Sequence, residues 1–115
     1  MEVRAILRGV RFRPRKGRLV ADLIRSKSAS RALDILATCE KSAAQPIEKV
    51  LRSALANAVE HNSRHSAGID LDNLYVKRVT VDDGPRFWRI RARAQGRANW
   101  INKGTSHVTV VLDER

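Results

Sequence analysis

Six basic residues, Arg86, Arg89, Arg91, Arg93, Arg97 and Lys103, lie in a stretch that holds no Asp or Glu between Asp83 and Asp113. Arg89, Arg91 and Arg93 recur at every second position. That is strand spacing, so one face of an extended strand would carry three guanidinium groups in a row. A guanidinium presents a planar fork of donors that grips phosphate oxygens in pairs and also stacks on bases. Phe87, Trp88 and Trp100 are interleaved with these bases, and they are three of the five aromatic residues in the chain. No apolar stripe is present that would bury all three in a core. Stacking on unpaired RNA bases is the chemistry that uses them. The plain alternative is a solvated basic loop.

A second basic cluster, Arg11, Arg13, Arg15, Lys16 and Arg18, surrounds Pro14. Proline is tolerated in a first helical turn, so a helix is expected from about Pro14 to Arg25, and helix N-terminal amides favour phosphate. Here the alternative is an ordinary solvated helix face. Other chemistry is poorly provided for. His61 and His65 have the i,i+4 spacing of metal ligands on a helix, but no third ligand is suggested, and Gly68 implies that a helix has ended. Asp82-Asp83 precede Gly84-Pro85 and read as turn residues. There is no nucleophile motif and no phosphate-cradling Gly-rich loop before a helix. His107 reads as a strand or RNA-contact residue, and Cys39 as a small buried apolar one. The expectation is a protein without catalytic activity, bound metal or cofactor.

The elements that must position the basic clusters follow from periodicity. Val3 to Phe12 alternate loosely between apolar and basic residues and read as a strand. Leu19, Val20, Leu23 and Ile24 supply the apolar positions of the first helix. Ser28 is a good N-cap for a second helix carrying Ala29, Ala32, Leu33, Leu36 and Ala37 as far as roughly Cys39. Ser42 could cap a third, its start adjusted around Pro46. Ile47, Val50, Leu51, Ala54, Leu55, Ala58 and Val59 then keep the 3.6-residue period for several turns, with Ala54, Ala56 and Ala58 small enough to admit a close neighbour. His61 to Asp70 is polar and reads as a loop. Leu74, Val76, Val79 and Val81 open a β-rich half, which ends in the β-branched strand Val108 to Leu112. Helices precede strands, so the fold class is α+β.

Length and charge set the frame. The chain has 115 residues, which suits one domain. It carries 23 Lys and Arg against 12 Asp and Glu, a net charge of +11. Such an excess is relieved by a polyanion, most commonly nucleic acid. A membrane surface would call for a basic amphipathic helix or a lipidation site, and neither is convincing. One cysteine allows no intrachain disulfide, which fits a reducing compartment. No apolar run reaches ~18 residues, and Met1-Glu2-Val3-Arg4 opens no signal-peptide core, so a location in the cytoplasm, or in an equivalent organellar compartment after processing, is expected. From Val79 to Val108, two arms of about 12 residues would each reach ~40 Å. A ribbon of that length is unstable alone in water and must rest on an anion.

DNA binding is the strongest rival. The first two helices are joined tightly, as in a helix-turn-helix. The second, however, offers mainly Arg31 and Asp34 outside its apolar stripe, which equips it poorly for base edges. A basic β-arm could instead grip a minor groove, but proteins of that kind are usually dimers. A monomer with a preference for structured RNA separates the two readings.

Several stretches together resemble the ribosomal protein twenty-two family of the large subunit along almost the whole chain. They are Arg13-Pro-Arg-Lys-Gly-Arg-Leu-Val20, Val50-Leu-Arg-Ser-Ala-Leu-Ala-Asn-Ala58, Val81-Asp-Asp-Gly-Pro-Arg86, Arg93-Ala-Gln-Gly-Arg-Ala-Asn99 and Lys103-Gly-Thr-Ser-His-Val-Thr-Val110. The resemblance implies three helices and a small three-stranded antiparallel sheet, with a long protruding β-hairpin. The body would occupy about 1–80 and 106–115 and the hairpin about 81–105. It further implies a structural role in the large subunit and in its assembly. The expected partners are large-subunit ribosomal RNA, neighbouring large-subunit proteins and the nascent peptide, with no membrane and no homo-oligomer. Carried onto this chain, rRNA contacts would come from Arg11, Arg13, Arg15, Lys16, Arg18, Arg86, Trp88, Arg89, Arg91, Arg93, Arg97, Trp100, Lys103 and His107. The hairpin tip lining the exit tunnel would comprise Arg86, Phe87, Trp88, Arg89, Ile90 and Arg91, and in this family altered tips can change the response to macrolides. The chain departs from the usual pattern at Gly17, where Val is common, at the bulky Phe87-Trp88, and at Trp100 and Gly104.

Overall fold

In the computed structural model, residues 2–65, 68, 70–92, 96 and 98–114 are described. The chain runs β1 (Val3–Val10), α1 (Pro14–Ile24), α2 (Ala29–Thr38), α3 (Ala44–His65), a short 3-10 turn (Leu71–Asn73), β2 (Leu74–Asp83), β3 (Phe87–Ala92), β4 (Ala98–Lys103) and β5 (Ser106–Glu114). Strands β1, β5 and β2 form an antiparallel sheet with β5 in the middle, while β3 and β4 form a separate two-stranded ribbon. The expected α+β architecture of three helices, a three-stranded antiparallel sheet and a β-hairpin is what the chain adopts.

The helices cover one face of the sheet. Strand alternation sends Val3 and Ala5 of β1, Val79 and Val81 of β2, and Val108, Val110 and Leu112 of β5 into one buried cluster. Facing them are Val20, Ala21 and Ile24 of α1, Ala32 and Leu36 of α2, and Ile47, Leu51, Ala54 and Ala58 of α3. Because aromatics are scarce, the core is aliphatic. Ala54 and Ala58, fully buried, let α3 approach β1 and β5 closely; Ala56, the third small residue of that series, is exposed.

Two sequence expectations are corrected. Leu19 and Leu23 do not form the buried stripe of α1; both are about half exposed. The face that meets the sheet is Gly17, Val20, Ala21 and Ile24, which has the same period rotated by one position. Helix α3 does not stop before His61 but runs on to His65. Polarity there marks a solvated helix surface, with Glu60 paired to Arg64 at 2.9 Å one turn on.

Strand β2 lies at the edge of the sheet, and the α1 side caps its outward backbone groups. Arg18 Nε donates to Val81 O at 3.1 Å and Arg25 Nη2 to Val79 O at 3.0 Å. Ser26 N–H donates to Val76 O, and Val76 N–H donates to Lys27 O. These contacts close an edge that would otherwise template pairing with another strand. On the other edge, Asn57 Nδ2 of α3 donates to Arg4 O at 3.0 Å.

Gly17 has a physical reason. It is buried in α1, and a Cβ at this position would lie 2.4 Å from Phe12 Cε1 and 3.0 Å from Val81 Cγ1. Phe12 therefore occupies the space that a side chain at position 17 would need. Gly17→Val is expected to lower stability by about 1–3 kcal/mol through overpacking, read as a fall in thermal midpoint. Combining it with Phe12→Ala should recover part of the loss. An unchanged midpoint in the single variant would mean that Phe12 does not fill that space.

Candidate nucleic-acid interface

The chain segment between β1 and α1 is fixed before α1 begins. Phe12 N–H donates to Val10 O, and Ser106 Oγ, fully buried, donates to Phe12 O at 2.7 Å. Arg13 then takes the N-cap position in extended backbone, with Pro14 in the first turn. No acidic residue lies in that turn, so no carboxylate of the helix itself offsets the positive end of its dipole. Arg13, Arg15, Lys16 and Arg18 are all exposed around it, and Arg11 is exposed just before it.

The ribbon begins beside this helix end. Gly84 N–H donates to Thr105 O at 2.9 Å, and Thr105 Oγ1 donates to Pro85 O. A Cβ on Gly84 would fall 2.6 Å from Thr105 Oγ1 and 3.2 Å from its carbonyl carbon, so the two strands approach too closely here for any other residue. Gly104 is similarly overlaid by Arg13, whose Cγ would lie 3.3 Å from an added Cβ. The result is a cleft of about 280 Å³ lined by Arg13, Pro14, Arg15, Arg18, Asp83, Arg86, Gly104 and Thr105. Arginines from both basic clusters of the sequence meet in it. Four guanidinium-bearing residues face one carboxylate, Asp83, so the cleft favours an anion.

Beyond the cleft, Phe87 pairs with Lys103, Ile90 with Trp100 and Ala92 with Ala98. In the body the last pair is Asp83 with Ser106. Three residues on one side of the junction, 84–86, thus oppose two on the other, 104–105. Within the ribbon, Trp88, Ile90 and Trp100 share one face, and they are 61%, 63% and 66% exposed. Arg89 and Arg91 take the alternate strand positions, opposite Ile101 and Asn99. Lys103 is exposed at the base of β4.

This register corrects the position of the hairpin tip. Arg86 belongs to the root, in the cleft with α1. Phe87, Trp88, Arg89, Ile90 and Arg91 climb the first arm rather than forming its end. Strand β3 ends at Ala92 and β4 begins at Ala98, and between them Gly96 has a positive φ of 71°. Gly96 was the available signal, since glycine adopts a positive φ without steric cost, while Gly84-Pro85 marks the junction instead. Arg93 and Arg97 lie outside the described residues.

Two further residues are placed in structural contacts. His107 Nδ1 accepts the Gly9 N–H at 3.0 Å, where β1 shifts register between Leu7 and Val10 and Gly9 adopts a φ of 71°. Arg18 spends its Nε on Val81 O. Among the described residues, no group of three or more His, Cys, Asp or Glu is placed to hold a metal, and no helix is long and apolar enough to cross a membrane. Asp83, Gly84, Thr105 and Ser106 were not singled out from sequence as parts of an interface. Gly84, Thr105 and Ser106 hold the two basic clusters together, Asp83 lines the cleft between them, and a contact between positions 12 and 106 leaves no local pattern.

The family described as Ribosomal_L22, ribosomal protein L22p/L17e, matches residues 5–113. Only four residues before and two after fall outside the match, and the matched span includes the helix end, the junction and both arms of the ribbon. The chain belongs to the ribosomal protein L22p/L17e family.

Proposed function

We propose that this structural constituent of the large ribosomal subunit binds ribosomal RNA through the cleft and the ribbon, and that the ribbon reaches through RNA to the peptide exit tunnel. The body, residues 1–80 and 106–115, stays outside and anchors the ribbon, residues 81–105. Family membership supplies the subunit. The observation that carries the RNA reading is the meeting of Arg13, Arg15, Arg18 and Arg86 in one cleft at the ribbon root. A phosphate there would take bidentate contacts from arginines on two separate elements, which fixes the angle at which the ribbon enters the RNA.

The ribbon has little protein beneath it, yet exposes two tryptophans and an isoleucine on one face. Burying them against bases, with arginines at alternate positions for phosphate, gives both faces a partner. The connection at 93–97 is the part that would reach the tunnel and meet the nascent peptide. A scaffold that folds its RNA around a basic ribbon also supports subunit assembly, and it needs no catalytic group. The site of action is the ribosome, of the cytoplasm or of an organelle.

Two measurements test this reading. The chain should remain with the large subunit after a high-salt wash, and its affinity for isolated large-subunit rRNA should fall steeply with salt, since each neutralised phosphate contributes ~0.7–0.9 to the logarithmic slope. Because the two arginines share one phosphate in this reading, Arg13→Gln combined with Arg86→Gln should lower that slope by about 0.7–0.9, one phosphate's worth. A flat salt dependence in the parent would refute a phosphate-dominated interface.

The tunnel reading is tested by shortening the ribbon symmetrically. Removing Arg91, Ala92, Ala98 and Asn99 takes one complete alternation from each arm and so preserves facing and register. Subunits carrying this variant are expected to assemble, and to differ from parent subunits in macrolide inhibition or in stalling by arrest peptides. Identical inhibition curves and identical stalling would show that the ribbon end does not shape the tunnel.

A further inference from the structure

The helices cover only one face of the three-stranded sheet. The open face has a composition of its own. Arg4 on β1, Val111 on β5 and Arg78 on β2 stand in one row across it, followed by Ile6, Thr109 and Thr80 in the next. Arg8 falls in the stretch of β1 between Leu7 and Val10 where the register shifts, opposite the level of His107. Arg4, Arg8 and Arg78 are all exposed, and Ile6 between the two β1 arginines is 46% exposed.

Charge on this face is not balanced as it is at Arg25, Arg52 and Arg64 on the helices. On the helices, arginines pair with carboxylates: Arg25 with Asp22, Arg52 with Glu48 and Arg64 with Glu60. At the far end of the open face, Lys77 pairs with Glu2 and reaches Asp113 at 3.6 Å. The Lys77 ammonium holds the Glu2 carboxyl below its ordinary range, with Arg78 adding only a weak long-range pull. Among the described residues, none of Arg4, Arg8 and Arg78 has a carboxylate within ion-pair distance. Asp82 is the remaining acid on this face, at the level of His107.

We infer that the helix-free face of the β1–β5–β2 sheet is a second RNA surface, which docks on phosphates of structured RNA through Arg4, Arg8 and Arg78. This inference rests on the rRNA-binding reading above but concerns a surface that reading does not use. Strands spaced ~4.8 Å apart put the Arg4 and Arg78 backbones ~10 Å apart, and four residues along β1 put Arg8 ~13 Å from Arg4. A flat array of that breadth matches successive phosphates better than a single small anion. Thr80 and Thr109 between the arginines supply hydroxyl donors for phosphate or ribose oxygens. An acidic protein neighbour is the competing occupant.

The test is a triple variant of the full chain, Arg4→Gln, Arg8→Gln and Arg78→Gln, compared with a charge-matched control, Arg31→Gln, Arg52→Gln and Arg64→Gln on α2 and α3. Affinity for large-subunit rRNA is measured across a salt series. The open-face variant is expected to lose about 2–3 units of logarithmic salt slope, ~0.7–0.9 for each phosphate contact removed, and the control much less. Single Arg4→Gln and Arg78→Gln variants should each lose about one contact's worth, which keeps the result readable if the triple variant is poorly behaved. A parent that binds rRNA while the open-face variants keep its affinity and slope overturns the inference, as does an equal loss in the control. Unchanged rRNA binding with reduced retention on the large subunit would assign the face to a protein neighbour and also overturn it. A parent without rRNA affinity would instead refute the rRNA reading on which it stands.

Discussion

The hydrogen bond from the buried Ser106 hydroxyl to the Phe12 carbonyl joins two parts of the chain ninety-four residues apart in sequence. On one side it fixes the turn that delivers Arg13 and Pro14 to the start of α1. On the other, Ser106 is the first residue of β5, one step after the ribbon root at Gly104 and Thr105. A buried hydroxyl without an acceptor costs about 1–3 kcal/mol, so this pair holds helix end and ribbon root in a single arrangement. Gly84 completes the root, because the strand approach at Thr105 admits no side chain. The cleft of arginines follows from these constraints more than from attraction among its own members, which repel one another.

That repulsion organises the rest of the surface. A chain with 23 basic and 12 acidic side chains cannot pair every cation. Among the described residues, three of its carboxylates, Asp22, Glu48 and Glu60, pair with arginine along the helices at i,i+3 and i,i+4 spacing. The α1 end and the open sheet face are left in positive excess. Exposed helix pairs contribute only a few tenths of a kcal/mol each. Their more consequential effect is local: Arg25, Arg52 and Arg64 each have a carboxylate beside them, whereas the arginines of the α1 end and the open sheet face lean toward an external anion. Arg18 and Arg25 show that arginine also serves the fold, since both cap carbonyls along the β2 edge. An arginine cluster read from sequence therefore mixes residues bound to backbone with residues left open for a ligand.

Much of the fold was legible because long periodic segments are hard to mistake. Ile47 to Ala58 announced α3, and Ser28 announced α2, whose N-cap bond it makes with Arg31 N–H at 3.4 Å. The errors have physical causes. In α1 the buried face includes Gly17 and Ala21, which carry almost no hydrophobic signal, so the larger Leu19 and Leu23 seemed to define the stripe. In α3 the polar residues 61–65 read as a loop because no core pattern continued there, although side-chain pairing and backbone bonds suffice to extend a helix. The basic and aromatic content of the site was plain in the sequence, down to the strand alternation of residues 88 to 91. Its geometry was not, because convergence of Arg13 and Arg86 depends on contacts of positions 12, 84, 105 and 106, which no local pattern encodes. The hairpin tip was misplaced for a similar reason: register is set by pairing across the ribbon, and Gly84-Pro85 imitates a turn where the chain makes a junction.

The central claim is that helix end and ribbon root act as one anion-binding site. A double-mutant cycle between Arg13→Gln and Arg86→Gln, read as affinity for large-subunit rRNA at fixed salt, tests it most directly. Residues that share a partner show coupling of about 0.5–3 kcal/mol, whereas independent ones add to within about 0.3–0.5. The double variant is expected to depart from additivity by more than about 0.5 kcal/mol. Strict additivity would show that the two arginines contact RNA separately, and that their meeting in the cleft is incidental to binding.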